Sequence, residues 1–219
     1  FLWIGMILLI LAVVLALAMS KLISKPIVPV EAKIVGILHR MKKKEWTPVE
    51  ELLSDCDLGA ADRALASRLL YGVTERRLTL DYLLNHTAST PVKLMDPAVR
   101  EILRVAVYQL VYMDKTPAFA AINEAVKQTK QFGFDRLSGF VNGVLRRIQR
   151  GYAEMLENLP TTDKGLEIRY SIPRHWIRAW RAAYGEDVLN GLLTHLNDAP
   201  PAYIRVNTAA TLTVDFCRV

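Results

Sequence analysis

The residues of this chain best suited to chemistry are basic ones, set in pairs and at helical spacing. The chemistry they suit is the holding of phosphate-like oxygens. Arg76-Arg77 follow Tyr71-Gly72-Val73; Arg146 and Arg150 stand one helical turn apart on a shared face, with Arg147 beside them; Lys127 and Lys130 lie three apart. A guanidinium offers a planar fork of N–H donors that matches two oxygens of one phosphate, whereas a lysine offers a point charge. Helix ends of this kind that converge in space make an electrostatic footprint for a polyanion. The alternative for each residue is a solvated basic face. Lys42-Lys43-Lys44 reads as a soluble helix end whose cations suit the negative pole of the helix dipole.

Bond-making residues are harder to find. Cys56 sits in Ser54-Asp55-Cys56-Asp57, where neighbouring acids disfavour a thiolate, and Cys217 lies near the end of the sequence. His39, His86, His175 and His195 are scattered without ligand spacing. Glu124 has no second carboxylate placed to share acid–base work. The expectation is a chain with no catalytic, metal-binding or cofactor-binding residues of its own. Two distant cysteines make no disulfide framework and fit a reducing, cytoplasmic setting. The net charge of +6 favours an anionic partner, either nucleic acid or an anionic membrane face.

The elements that position these residues read as helices. Residues 1–20 carry no charge, and a helix of that length spans about 30 Å, the thickness of a bilayer core. Lys21 and Lys25 follow, which puts the remainder on the cytoplasmic side. Residues 20–27 resemble the exit of the second membrane helix of bacterial chemoreceptors, so residues 1–28 are a transmembrane-like helix, either a genuine tether or a foreign addition. Beyond it, Ile34, Ile37, Leu38 and Met41 form one buried stripe, and Thr47-Pro48 starts a further helix. Gly59 breaks the chain before Ala61, Leu65, Leu69 and Val73 line the next face. Tyr82, Leu83 and Leu84 mark a short helix. Asp96-Pro97 and Thr116-Pro117 are helix starts, with Val99, Leu103, Ala106 and Leu110 behind the first and Ala121, Ile122, Ala125 and Val126 behind the second. Gly133 stops that helix, and Val141, Val144, Leu145 and Ile148 belong to a last one that Gly151 ends. The spacing predicts an all-α bundle of six or seven helices over residues 30–152.

Residues 160–164 read as a linker into a segment, 160–219, of different character. Ser171-Ile172-Pro173 starts a helix that Gly185 stops. Trp176, Trp180 and Tyr184 share one face of it and are expected to pack into a core, while Arg174, Arg178 and Arg181 share the opposite face, either solvated or on phosphate. A second helix follows over residues 188–196, and Tyr203-Ile204-Arg205-Val206-Asn207 alternates as a strand does.

Several of these pieces stand in a telling order. Asp62-Arg63-Ala64-Leu65-Ala66, Leu70-Tyr71-Gly72-Val73, Gln109-Leu110-Val111-Tyr112, residues 117–126 (PAFAAINEAV) and Asn142-Gly143-Val144-Leu145-Arg146-Arg147 together resemble the NusB-like RNA-binding domain. Arg169-Tyr170-Ser171-Ile172-Pro173 and Ile204-Arg205-Val206-Asn207-Thr208 resemble the joint between that domain and the methyltransferase domain of ribosomal RNA cytosine-5 methyltransferases. The resemblance covers about residues 33–208; residues 208–219 fit it poorly. It implies a NusB-like helical bundle followed by a short α/β linker element. It also implies ribosomal RNA and the methyltransferase domain as partners, and Arg205 and Asn207 as RNA or packing contacts. Asn123 and Glu124 either fix helix packing or touch RNA. The parent family uses S-adenosylmethionine, a glycine-rich loop and a cysteine in a Pro-Cys setting. None of these motifs occurs here, so the chain is expected to be an inactive RNA-recognising portion that stops before the catalytic domain. Two rival readings remain: a NusB-type transcription antitermination factor with an added tail at residues 166–207, and a membrane-tethered protein whose basic face meets anionic lipid.

Overall fold

The computed structural model describes residues 30–41, 49–54, 56 and 58–196. The apolar run 1–28, Lys42-Lys43-Lys44, the Thr47-Pro48 start, the strand with Arg205 and Asn207, and Cys217 all lie outside the described residues. Among the described residues the chain forms helices and no strand. They are α1 (Val30–Met41), α2 (Val49–Ser54), α3 (Ala60–Glu75), α4 (Arg77–Thr87), α5 (Pro97–Tyr112), α6 (Ala118–Gln131), α7 (Ser138–Glu157), α8 (Asp163–Tyr170) and α9 (Arg174–His195), with single 3-10 turns before α5 and α7.

The first compact unit ends at Ile172, and α5 is its axis. Asp96 caps this helix by accepting the Ala98 amide at 2.8 Å, and Pro97 occupies the first turn, as the Asp-Pro pair predicts. The stripe expected from sequence was one face. The structure instead buries the helix all round, from Val99 and from Glu101 through Gln109, while Leu110 is only partly covered. The reason is position: α1, α3, α4, α6 and α7 all pack against α5, so its polar side also faces protein. Glu101 and Arg104 therefore lie in the interior. Arg104 makes a two-point pair with Asp81 of α4 (Nε to Oδ1 2.7 Å, a terminal nitrogen to Oδ2 2.6 Å) and a bond to Glu101 at 2.9 Å. Burial acts to depress the charge of Arg104. The hydrogen bonds and charges of Asp81 and Glu101 outweigh it and hold the guanidinium above its usual value.

Helices α6 and α7 form an antiparallel hairpin. Gly133 ends α6 in the left-handed region (φ 83°), where its amide bonds Lys130 O and the Phe134 amide bonds Thr129 O, both at 2.9 Å. Helix α7 buries Val141, Val144, Leu145 and Ile148. It does not stop at Gly151, as the glycine suggested, but runs on to Glu157. A mid-helix glycine costs about 1 kcal/mol, and here the packing of Tyr152, Met155 and Leu156 against the core offsets it.

A second departure lies at residues 160–172. The expected linker yields at Asp163 to α8, a helix that the residue spacing did not signal, and the first unit therefore extends beyond residue 152. Gly165 sits so close to the Pro160 carbonyl that no Cβ fits. Thr79 of α4 donates its hydroxyl to Ile168 O at 2.5 Å, the Leu78 amide donates to Ser171 Oγ at 3.0 Å, and Arg169 donates to the carbonyls of Leu156 and Leu159 at 3.3 and 3.4 Å. The Leu78 amide is one of the donors that the first turn of α4 leaves unpaired, so Ser171 caps α4 from a distance of 93 residues along the chain. Ser171 does so at φ 59°, where α8 stops.

The second unit begins at Pro173. Its helix α9 changes direction at Gly185 (φ 80°, ψ 175°), the residue expected to end it, and resumes to His195. Ile177, Leu189 and Leu193 are its buried residues.

Candidate nucleic-acid interface

Arg76 and Arg77 stand where α3 hands over to α4. Arg77 is exposed at the first residue of α4, and the Arg76 guanidinium lies 5.0 Å from the centroid of the Tyr112 ring, a cation–π contact. Tyr112 is the last residue of α5. Its carbonyl, one of the acceptors that a helix end leaves open, takes a bond from Arg68 at 3.2 Å. Two arginines thus converge on one tyrosine, one over its ring and one at its carbonyl. Burial pushes the Tyr112 phenol above its usual value, and the positive charge of Arg76 and a hydrogen bond with Thr79 pull the other way. Arg68 was not among the residues singled out from sequence. One local signal was available, since the spacing puts Arg68, Tyr71 and Glu75 on one face of α3.

The other basic residues gather on α6 and α7. Arg146 and Arg150 are exposed on one strip of α7; Arg146 donates to Asn142 Oδ1 at 3.1 Å, and Arg150 donates to the Arg146 carbonyl at 3.3 Å. Arg147 turns aside and donates to the carbonyl of Thr87, the last residue of α4, at 2.8 Å. Lys127 is exposed and pairs with Glu124 at 3.8 Å; Lys130 is exposed at the end of α6. Glu124 also accepts from Gln128 at 3.2 Å, a contact within its own helix, and Asn123 is exposed.

The structure therefore does not bring all the candidate arginines to one place. Helix α4 is 11 residues long, about 15 Å at helical rise. Arg76 and Arg77 occupy its start, whereas Arg147 docks at its end. Among the described residues, Lys127 is the one member of the seven described candidates that pairs with a carboxylate. The cations that are engaged otherwise hold carbonyls, an amide or, for Arg76, the Tyr112 ring, contacts that leave the positive charge uncancelled. The contrast is Arg104, whose charge is spent inside on Asp81 and Glu101.

Helix α9 corrects another expectation. Its aromatic stripe does not pack into a core. Trp176 is 50% exposed, Tyr184 is 60% exposed, and Ile177, one position along from Trp176, is buried instead. Apolar periodicity locates a stripe but not what covers it. Among the described residues, no cluster of His, Cys, Asp and Glu could hold a metal ion, and no helix is long and apolar enough to cross a membrane.

Comparison with known proteins bears on the same regions. The model of the NusB family matches residues 30–150. A probable ribosomal RNA small subunit methyltransferase B from Synechocystis sp. is 32% identical over 182 residues, 83% of this chain and 41% of that protein. Its counterpart from Bacillus subtilis is 31% identical over 159 residues, 73% of this chain and 35% of that protein. The chain thus spans well under half the length of these curated relatives. The fold is similar to a chain in a crystal structure of the antitermination factors NusB and NusE in complex with double-stranded RNA (TM-score 0.52, 18% identity, 57% of this chain and 96% of that one). It is also similar to the crystal structure of PH0851 (TM-score 0.61, 17% identity, 87% of this chain and 44% of that one).

Proposed function

Residues 30–150 make this chain a member of the NusB family, and on that premise we propose that it binds ribosomal RNA, as the recognition portion of a small-subunit ribosomal RNA cytosine-5 methyltransferase. One observation carries the proposal: the basic residues on α3, α4, α6 and α7 stay at the surface with their charge uncancelled, Lys127 excepted. In this reading Arg76 and Arg77, with Arg68 beside them, form one contact and Arg146 and Arg150 form another, with Lys130 a further candidate at the end of α6. Two contacts on one compact unit suit a folded RNA element better than a single phosphate. Arg147, Lys127, Arg205 and Asn207 remain candidate contacts within this reading.

The relatives' names, and the joint motif on which Ser171 and Arg169 fasten α8 to α4 and α7, favour the methyltransferase reading over a stand-alone antitermination factor, to which an RNA-binding NusB fold is equally open. A ribosomal RNA partner implies a cytoplasmic setting. A tether through residues 1–20 concerns residues outside those described. S-adenosylmethionine, the parent family's cofactor, has no fitting cradle among the described residues: they offer helices and no strand leading into a glycine-rich loop.

The test is a filter-binding titration of the full chain with a small-subunit ribosomal RNA fragment across a salt series. Affinity that falls steeply with salt, and a slope that decreases by about one for each phosphate-contacting arginine removed, is expected. An affinity indifferent to salt would end the phosphate-contact reading.

A further inference from the structure

The two halves of α9 differ in chemistry. Beyond Gly185 the exposed side is aliphatic, with Val188, Leu192 and Leu196, and acids enter at Glu186 and Asp187. Before Gly185 the exposed side carries Trp176 and Tyr184, with Trp180 half-buried between them. Residues 174–185 contain Arg174, His175, Arg178 and Arg181 and no acid. We propose that Trp176, Trp180 and Tyr184 form a stacking platform for unpaired bases of an RNA strand. The proposal rests on the RNA-binding reading above and adds a site to it.

The geometry is that of a row. Positions four apart put the three rings on one side of the helix over about 12 Å. The Trp176 and Trp180 rings are 5.9 Å apart and inclined at 38°, and His175 adds a ring 5.6 Å from Trp176. Inserting a base between two parallel rings needs roughly 7 Å, twice the base-stacking rise. These rings are closer and tilted, so bases lie on their open outer faces. Trp176 and Tyr184 expose half or more of their surface, and large apolar rings left open in this way mark contact sites.

Charge selects the occupant. The arginines leave the same turns from the other side of the helix, roughly 10 Å across, which is about one screening length at physiological salt. They add positive charge to this helix without having to touch each base, although none of the three is without a partner and Arg181 is bonded to Glu186 at 2.7 Å. A protein partner of apolar character fits the aliphatic half better. Unpaired strands are favoured over duplex because only an unpaired strand offers open base faces, and stacking tolerates any base.

The experiment titrates the full chain with a single-stranded oligouridylate and with a duplex RNA of equal length, following affinity and tryptophan emission. Trp176→Ala and Tyr184→Ala should each weaken single-strand binding roughly 5- to 100-fold and leave duplex binding unchanged. Trp176→Phe, which keeps a ring, should retain most of the affinity, and single strand but not duplex should quench emission. Melting curves verify that the variants fold; should Trp176→Ala not fold, Tyr184→Ala and the quenching of the unmodified protein decide. Ribosomal RNA bound normally while folded alanine variants keep single-strand affinity would overturn the platform alone. No RNA binding of any kind by the unmodified chain would overturn the platform and the proposed function together.

Discussion

The phenol of Tyr108 on α5 lies directly on the backbone of Gly72 on α3, so close that a Cβ at residue 72 would fall within the ring. Gly72 is helical and buried, so its role is close approach and not an unusual backbone angle. The contact lets α3 and α5 meet at the turn before Arg76, and so places Arg76 over Tyr112. Gly72→Ala must displace the ring, and overpacking of this kind costs about 1–3 kcal/mol. A melting temperature several degrees lower is expected. An unchanged melting curve would contradict this packing.

The Arg104 cluster is a structural charge with no surface role. Arg104→Ala removes the partner of Asp81 and one of the partners of Glu101, which also bonds Arg100 Nε at 3.3 Å, leaves a buried void and should destabilise the protein by about 3–5 kcal/mol, whereas Arg104→Met, which keeps volume, still takes one bond from Glu101. Urea unfolding measures both. The salt slope of RNA binding, taken where the variants remain folded, should match that of the unmodified chain.

Arg147 and Arg146 are neighbours with different work. Arg147→Ala removes the bond to the Thr87 carbonyl and should cost about 0.5–1.5 kcal/mol of stability. Arg146→Ala and Arg150→Ala should leave stability nearly unchanged and each lower the salt slope by about one. If Arg147→Ala proves as stable as the unmodified chain, the helix-end role of Arg147 is wrong.

Tyr112 predicts an alkaline limit. Its phenol has a raised value in the folded state, chiefly through burial. A group raised on folding contributes stability that is fully present below its unfolded value, about 10, and is lost as the pH climbs through the folded value. Unfolding midpoints should fall above about pH 10, and Tyr112→Phe should flatten that fall. An identical decline in both proteins would show that the phenol contributes nothing there. Arg104 is also raised, but from a value too high to matter across this range.

Helix starts and stops were legible because they are local. Asp96-Pro97 and Gly133 act through side chains and backbone angles within a few residues, and the structure places them where the residue types demand. The same local logic failed at Gly151, where the cost of a glycine is set against contacts with distant residues, and at α8, whose short helix is tied to α4 by Thr79 and Ser171.

By itself, the sequence determined the helical character of residues 30–152, most of the helix starts there and the presence of paired arginines, since each depends on spacing along one chain. Which arginine faces outward was decided only in three dimensions. Arg147 reaches a carbonyl 60 residues away, Arg68 meets the end of α5, Arg104 is sealed inside, and Trp176 is left open. Periodicity tells a side chain which way to leave its own helix; the element packed there, or its absence, decides whether it meets protein, water or a ligand.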